Sequence, residues 1–220
     1  MNSNSGMIPQ MIRNEDNLYD GNLKKYFSIV FMNAQNLFNP YHNFRHMLHV
    51  SWLCYQACSY YKGKLSPREM RNLLIAALFH DYDHCGIMGN DDLNITRAIR
   101  GMEKNLLPED RCYLNEIVAV IKATEYPYTD AITKPSLLQQ IIRDADMGQS
   151  LSVAWIQHVI FGLASEWNKK PIDVLRMQLP FHRNLKFDTE WGRLTFPQDM
   201  IDEKIREVNE LIDILAETSV

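Results

Sequence analysis

The sequence lacks several features that would place it in other classes of protein. No apolar run reaches the roughly 18 residues that a membrane-spanning helix requires. The N-terminal stretch is polar and contains no hydrophobic segment of the signal-peptide kind. The formal net charge of -4 gives no basic excess of the kind that nucleic-acid-binding domains carry. We therefore expect a cytoplasmic protein that binds neither nucleic acid nor a membrane.

Cysteine is scarce as well, and its spacing argues against a zinc–thiolate site. The sequence has four cysteines and no Cys-x-x-Cys pair. Cys54 and Cys58 lie four residues apart in an apolar helical pattern, which predicts reduced core residues. Cys85 follows His84 directly. We expect it to be a small packed residue, with a place near a functional site as the alternative.

No stretch alternates apolar and polar residues as a half-buried strand does, and there is no internal repeat. Helical periodicity dominates instead. A chain of 220 residues, 46% of them hydrophobic, is long enough to bury a sizeable core. The sequence predicts an all-α fold, a compact single-domain bundle of about 8–10 helices over residues 18–220. Residues 1–17, rich in Asn and Ser, are expected to form a flexible tail.

Proline, glycine and capping residues mark the expected helix ends. A first helix carries Tyr26 and Phe38 and ends at Asn39-Pro40, since proline cannot continue the hydrogen-bond pattern. Ser66, followed by proline and then a glutamate three residues after the serine, is typical of a helix start. Further helices are expected over about 42–61, 67–80, from 92, from 108, 137–147, 153–167, 171–187 and 199–215.

Two short segments concentrate metal-competent side chains. In the segment YHNFRH, His42 and His46 are four residues apart. In the segment HDYDH, His80 and His84 have the same spacing, and Asp81 follows His80. Residues four apart are neighbours on one helix face. Imidazole nitrogen and carboxylate oxygen are ligands for zinc, iron, manganese or magnesium, so this pattern predicts a metal centre.

A later aspartate completes the expected centre. Asp146 lies among apolar residues that predict a buried helix, and a buried carboxylate is costly unless it is paired or bound to metal. Asp144 is the competing candidate for this metal ligand. Its alternative role is to pair with Arg143 or with a histidine. The first metal site is therefore expected to use His46, His80, Asp81 and Asp146.

Each neighbouring group has an expected role in hydrolysis. Asp81 has two oxygens and could bridge two metals, and a water shared by those metals would become a hydroxide nucleophile near neutral pH. Imidazole titrates near neutrality, so His42 is expected to protonate a leaving oxygen, and His84 to orient water. Three other histidines are expected to be structural or solvated: His49, His158 and His182.

The order His…His-Asp…Asp resembles the signature of the HD superfamily of metal-dependent phosphohydrolases. More narrowly, the chain resembles the catalytic domain of class I 3′,5′-cyclic nucleotide phosphodiesterases over about residues 40–215. The segments YHNFRH and HDYDHCG are similar to that family's Tyr-His-Asn-x-x-His and His-Asp-x-Asp-His-x-Gly motifs. Weaker likenesses lie in IVAVIKATEY, in ADMGQ, in QLPF and in FDTEWGRLTFP.

The resemblance implies a cofactor set and a substrate-binding set. It implies two divalent metal ions, with Zn, Fe or Mn at the first site and Mg or Mn at the second, which Asp81 would bridge. The small-molecule substrate would be a nucleotide, with Gln178 hydrogen-bonding the base and Phe181 stacking on it. Asn94 and Gln149 match further positions of the family's site. Exposed apolar helix faces would allow a homodimer, with no interface specified by the sequence.

The chain also departs from the family pattern. The family's Glu-Asn-His-His segment is missing. Its glutamate helps to organise either the waters of the second metal or the acid histidine, and Glu103, Glu116 and Glu125 are the alternatives for it here. Gln149 replaces a base-contacting asparagine, which leaves the choice between adenine and guanine open. The expected activity is hydrolysis of cyclic AMP or cyclic GMP to the 5′-monophosphate. The alternatives are an HD-type phosphohydrolase of another nucleotide or phosphate ester, and a nucleotide-binding sensor with weak or no turnover.

Overall fold

The computed structural model describes residues 6–89, 91–128 and 134–217, and these residues contain eleven α-helices and no strand. The all-α prediction is therefore confirmed. The helices are α1 (Met7–Arg13), α2 (Lys24–Asn33), α3 (Phe44–Tyr60), α4 (Pro67–Phe79), α5 (Asp91–Asn105), α6 (Leu114–Lys122), α7 (Leu137–Met147), α8 (Gly162–Glu166), α9 (Pro171–Asn184), α10 (Glu190–Thr195) and α11 (Gln198–Glu217). Three shorter helical segments join them: the 3-10 turns Pro108–Tyr113 and Gly148–Leu151, and the π-helix Ile156–Phe161.

Local sequence signals explain where the central helices begin. Ser66 caps α4, and its side chain and that of Glu69 each bond the other's backbone N–H, with Pro67 in the first turn. Ser136 and Gln139 make the same arrangement at the start of α7. Asn43 caps α3 by accepting from the backbone N–H groups of Arg45 and His46. These caps fix the register of three helices that carry the expected metal ligands.

The N-terminal region differs from the expected flexible tail. Residues 1–5 lie outside the described residues, but Met7–Arg13 form α1, and the side chains of Met11 and Ile12 are buried. Asn14 ends this helix and accepts from the backbone N–H of Leu18. The Asn- and Ser-rich composition concealed the apolar residues, which lie on one helix face and pack into the core.

Two other expected helices are also different. The first one was expected to reach Phe38, but α2 ends at Asn33 and Phe38 is 96% exposed. The expected helix over 153–167 is divided into the π-helix and α8. Helix α10 was not predicted; Thr189 caps it by accepting from the backbone N–H of Gly192. A helix of six residues offers too few turns for a periodic pattern to be read.

The helices form two apolar clusters with the expected ligands between them. The larger cluster surrounds α4, whose residues from Met70 to Phe79 are all buried, and which packs against α3, α6 and α7. The smaller cluster joins α8, α9 and α11 around Trp155 and Val174. Cys54 and Cys58 are buried free thiols in the larger cluster, as predicted. No described helix has the length and apolar character that crossing a bilayer requires. A single domain over 18–220 stays a prediction.

Candidate active site

Two buried histidines face each other where α3 begins and α4 ends. The Nε2 atoms of His46 and His80 lie 3.4 Å apart. The Nδ1 atom of His80 donates to the carbonyl oxygen of Ala77 at 2.8 Å, and Nδ1 of His46 lies 2.7 Å from Oε1 of Gln149. With both Nδ1 protons used in this way, each Nε2 lone pair points into the same space. Such partners on the outer nitrogen orient histidines that bind metal.

Two carboxylates complete this space. Oδ2 of Asp81 lies 3.4 Å from Nε2 of both His46 and His80. Oδ1 of Asp146, at the end of α7, lies 3.0 Å from Nε2 of His46 and 3.7 Å from Nε2 of His80. The structure thus brings together all four residues of the expected metal site, although about 100 residues separate the first from the last.

The chemistry of these four side chains fits a divalent cation. Oδ2 of Asp81 is buried and has no hydrogen-bond partner among the described residues. Burial would lower the pKa of His80, but the charges of Asp81 and Asp146 raise it to about 9. Burial would likewise raise the pKa of Asp81, but the imidazole of His80 holds it well below its usual range. The cluster therefore stabilises positive charge at its centre, which is the charge a metal ion would supply.

A second polar group lies beside the metal ligands and includes a residue that the sequence analysis missed. Oε1 of Glu166, at the end of α8, is 2.5 Å from Nδ1 of His42. Its Oε2 accepts from the backbone N–H groups of Tyr41 and His42 at 2.9 and 3.0 Å. Burial would lower the pKa of His42, but the hydrogen bond to Glu166 and the charge of Asp81 raise it. The structure thus favours a protonated His42 whose Nε2 is left to donate.

His84 is held differently from His42, although the two rings stack with centroids 3.8 Å apart. Its Nδ1 accepts from the backbone N–H of Gly86 at 3.0 Å, and its Nε2 lies 2.8 Å from Nδ2 of Asn94. Burial, together with the positive charge of His42, lowers the pKa of His84 to about 4, against the opposing effect of Asp81. The stacked pair therefore contains one imidazole that favours protonation and one that stays neutral.

These groups line a pocket of about 600 Å³, a volume in the usual range for small-molecule sites. Its metal-side wall includes His42, His46, Asp81, His84 and Asp146. Gln178 and Phe181 on α9 line it as well, together with aromatic and apolar side chains from helices α8 and α9 and from the loops: Ile87, Met88, Tyr126, Leu163, Trp167 and Met177. One side of the pocket is therefore rich in ligand atoms for metal, and the other is suited to a flat organic group.

Comparison with known proteins gives a consistent result. A model of the 3′5′-cyclic nucleotide phosphodiesterase family matches residues 41–97, the part of the chain that contains both histidine motifs. LmjPDEB1 in complex with IBMX has a similar structure, with a TM-score of 0.63 and 15% identity over 94% of this chain and 85% of that one. The chain thus resembles this family over residues 41–97 and shares the fold of a phosphodiesterase structure.

A second solved structure supports the same fold. The phosphodiesterase domain of the Salpingoeca rosetta rhodopsin phosphodiesterase has a TM-score of 0.63 and 16% identity, covering 96% of this chain and 85% of that one. No curated protein sequence matches the chain. The family resemblance inferred from the motifs is confirmed, and at these identities the solved structures show the fold alone.

Two residues of the expected substrate-binding set have other partners in the structure. Gln149 does not line the pocket; it lies in the turn after α7 and is bonded to His46. Asn94 does line the pocket, but its Oδ1 accepts from the backbone N–H of Cys85 and its Nδ2 is directed at His84. Both amides are buried and thus bond neighbouring groups of the protein. Their contact with a substrate stays a prediction.

The carboxylate that competed with Asp146 in the sequence has a structural place. Asp144 accepts from the backbone N–H groups of Asp188 and Thr189 and from the Thr189 hydroxyl. These bonds fix the start of α10. Asp144 was expected to pair with Arg143 or with a histidine, but its hydrogen bonds go to Asp188 and Thr189. The buried Glu166, in contrast, was overlooked. Its signal was an acid separated by one residue from the apolar Leu163 and Ala164, at a place where an unpaired carboxylate would be costly.

Proposed function

We propose that this chain is a metal-dependent phosphodiesterase that hydrolyses a 3′,5′-cyclic nucleotide to the 5′-monophosphate. The observation that carries the proposal is the convergence of four metal-competent side chains, three of which line the pocket, beside a histidine whose protonated form is favoured. The family match over residues 41–97 supports phosphodiester hydrolysis in general. The cyclic nucleotide is the finer part of the proposal.

The four clustered side chains are the proposed metal ligands. His46, His80, Asp81 and Asp146 would hold one divalent cation, and the second oxygen of Asp81 would be shared with another. Bound divalent cations lower the pKa of coordinated water and neutralise charge on a phosphoryl group. The buried environment strengthens such electrostatic effects, because little water remains to screen them.

His42 is the proposed proton donor. Hydrolysis of a 3′,5′-cyclic phosphodiester leaves a 3′ oxygen that needs a proton. His42 lines the pocket, and with Nδ1 bonded to Glu166 it has Nε2 available for donation. A general acid must carry its proton when the substrate is bound, and the raised pKa of His42 favours the protonated form. Glu166 acts through His42 and is a positioning residue.

The charge of the pocket lining bears on the class of substrate. Among the described residues that line the pocket, none is Lys or Arg. The chain segments without described structure contain no Lys or Arg either. Nucleoside polyphosphates and alarmones carry several negative charges, which proteins usually bind with such side chains. A cyclic nucleotide carries one charge on its diester and a flat base, and Phe181 with Tyr126 offers aromatic faces for that base.

The test is a substrate panel with defined metal content. Purified protein, loaded with Mn²⁺ or Mg²⁺, is given cyclic AMP, cyclic GMP, a nucleoside monophosphate and a linear phosphodiester, with metal-stripped protein as the control. We expect metal-dependent turnover of at least one cyclic nucleotide at more than tenfold the kcat/KM of the other two classes. Preference for the monophosphate or the linear diester would overturn the proposal in favour of another HD-type phosphohydrolase. Cyclic nucleotide binding without turnover would indicate a sensor.

A further inference from the structure

The buried amide of Asn36 joins the two histidine motifs. Asn36 lies in the loop between α2 and α3 and is 1% exposed. Its Nδ2 donates to the carbonyl oxygen of His42 and to that of Asp81, each at 2.8 Å. Its Oδ1 accepts from the backbone N–H of Asp83 at 3.0 Å. One side chain thus bonds both the backbone of the proposed proton donor and the backbone of a proposed metal ligand.

The orientation of this amide is determined by its partners. A carbonyl oxygen can only accept and a backbone N–H can only donate, so Nδ2 must face His42 and Asp81, and Oδ1 must face Asp83. Both N–H groups of the amide and its oxygen are therefore used. A buried amide that is satisfied in this way is rigid, so it holds the two segments at a fixed separation.

The turn after α4 depends on the same loop for its shape. Asp83 in this turn has a φ of 61°, in the left-handed region that non-glycine residues seldom adopt. Besides the bond from its N–H to Asn36, Oδ1 of Asp83 accepts from the backbone N–H of Gln35 at 2.8 Å. Asn39 donates through Nδ2 to the carbonyl oxygen of His84 at 3.0 Å. The loop thus holds this turn in a conformation that its own sequence does not favour.

His42 is held from two sides, by Asn36 and by Glu166. Glu166 accepts from the backbone N–H of His42 and is bonded to its ring, whereas Asn36 donates to its carbonyl oxygen. The stacking of the His42 ring on that of His84 depends on both contacts, because Asn36 also fixes the turn that carries His84. Without the amide, Glu166 would hold His42 with no direct link to Asp81.

We propose that Asn36 is a positioning residue that sets the distance between the proton donor His42 and the metal ligand Asp81. Its effect on turnover rests on the proposed function, since it assumes that His42 protonates a leaving oxygen. A reacting group that is displaced by about 1 Å can lose about 100-fold in rate. Asn36 does not line the pocket, so its loss should lower kcat and leave KM nearly unchanged.

The first test compares local hydrogen exchange in Asn36→Ala and in Asn14→Ala. Asn14 is a buried amide at the end of α1 that likewise bonds backbone groups through both its nitrogen and its oxygen. Exchange of the backbone amides of His42 and His84, which donate to other partners, is followed by NMR without substrate. We expect Asn36→Ala to speed both by about tenfold or more through local opening, and Asn14→Ala to change them by less than about threefold.

The second test is kinetic. With saturating divalent metal, Asn36→Ala should lower kcat for the cyclic nucleotide by about 10- to 100-fold and change KM by less than about threefold. Asn14→Ala should change neither. Asn36→Asp keeps the size of the side chain and the acceptor for the Asp83 N–H but loses the donating nitrogen. It should therefore speed exchange at His42 and lower kcat in the same way, and it replaces Asn36→Ala if that variant does not fold.

Unchanged exchange at His42 and His84 in the Asn36 variants would overturn the inference. So would an equal acceleration in Asn14→Ala, since the effect would then be a loss of global stability, which urea denaturation measures in parallel. A raised KM with unchanged kcat would also contradict it. The exchange result does not depend on turnover, so a protein that shows the expected exchange and hydrolyses no cyclic nucleotide would refute the proposed function alone.

Discussion

Glu166 binds His42 twice, once at the imidazole and once at the backbone. Oε1 lies 2.5 Å from Nδ1 of the ring, and Oε2 accepts from the N–H of the same residue at 3.0 Å. The two residues are 124 positions apart in the chain. With a side-chain exposure of 2%, the carboxylate is shielded from water, so its charge acts on the imidazole with little screening.

Removing the charge of Glu166 should therefore move the pH dependence of the reaction. His42 must be protonated to act as the acid, so activity is present below its pKa and lost as pH rises through it. Glu166 raises that pKa. In Glu166→Gln we expect the alkaline limb of kcat against pH to shift downward by about 1–2 pH units, the usual effect of one close opposite charge.

The control for this prediction is Glu203→Gln, which removes a charge from an exposed position on α11. Its pH profile should match that of the wild type. NMR titration of His42 in both variants measures the pKa directly and without turnover. An unchanged His42 pKa in Glu166→Gln would contradict the assigned pairing.

Replacing Asp81 and replacing His42 should affect different properties, namely metal content in the first case and the rate of turnover alone in the second. Asp81→Asn takes away a charge that the four-residue cluster needs, so we expect the content of tightly bound metal to fall and turnover to be lost. His42→Ala removes the proton donor and leaves the ligand cluster in place. We expect normal metal content with a fall in kcat of about 10²- to 10⁴-fold, the typical contribution of a general acid.

Elemental analysis of dialysed protein, together with steady-state kinetics, distinguishes these two cases. Full metal content in Asp81→Asn would exclude Asp81 as a required ligand. Near-wild-type hydrolysis by His42→Ala would exclude His42 as the acid.

Asp110 should be important for stability and not for catalysis. It is fully buried and accepts from the guanidinium groups of Arg68 and Arg71 and from the hydroxyl of Tyr26. Asp110→Asn would leave the buried charge of Arg71 without its counter-ion. We expect a loss of about 3–5 kcal/mol in the free energy of unfolding, measured by urea denaturation. The exposed pair of Asp173 with Arg176 is the control, and Asp173→Asn should cost less than about 1 kcal/mol.

The Asp110 contribution also has a defined pH dependence. Burial would raise the pKa of this carboxyl, but the hydrogen bonds from Arg71, Tyr26 and Arg68 hold it below the usual range. A lowered pKa in the folded state stabilises the protein above the unfolded pKa, and the gain is lost as pH falls through the folded value. The stability difference between wild type and Asp110→Asn should therefore shrink in acid. A difference that stays constant down to pH 3 would contradict this assignment.

Short-range patterns made the core of the site predictable from sequence. The spacing of His42, His46, His80 and His84 marked residues that the structure brings together, but not as two helix turns, since His42 precedes α3 and His84 lies beyond the turn that follows α4. An apolar context drew attention to Asp146. The Ser66 capping box located α4 correctly. These signals are local, so they do not depend on how distant segments pack.

Contacts that depend on packing were beyond the reach of the sequence. Glu166 is an ordinary acid at the end of a short helix until α8 lies against the loop before α3. Gln149 matched a substrate position by motif, but the 3-10 turn after α7 directs it to His46. Asn94, in the first turn of α5, likewise lies in the pocket wall and contacts His84. In each case the decisive fact is the direction of a side chain, which tertiary structure sets.

The link between Glu166 and the Tyr41–His42 backbone has a mechanical consequence. Helix α8 belongs to the smaller apolar cluster, where it packs against α9, which carries Gln178 and Phe181. His42 on one wall of the pocket and Phe181 on the other are thus both held in place by the smaller apolar cluster. A substitution such as Val208→Ala, deep in that cluster, would loosen both walls at once. The proposed proton delivery by His42 and the proposed base contacts of Gln178 and Phe181 would then weaken together.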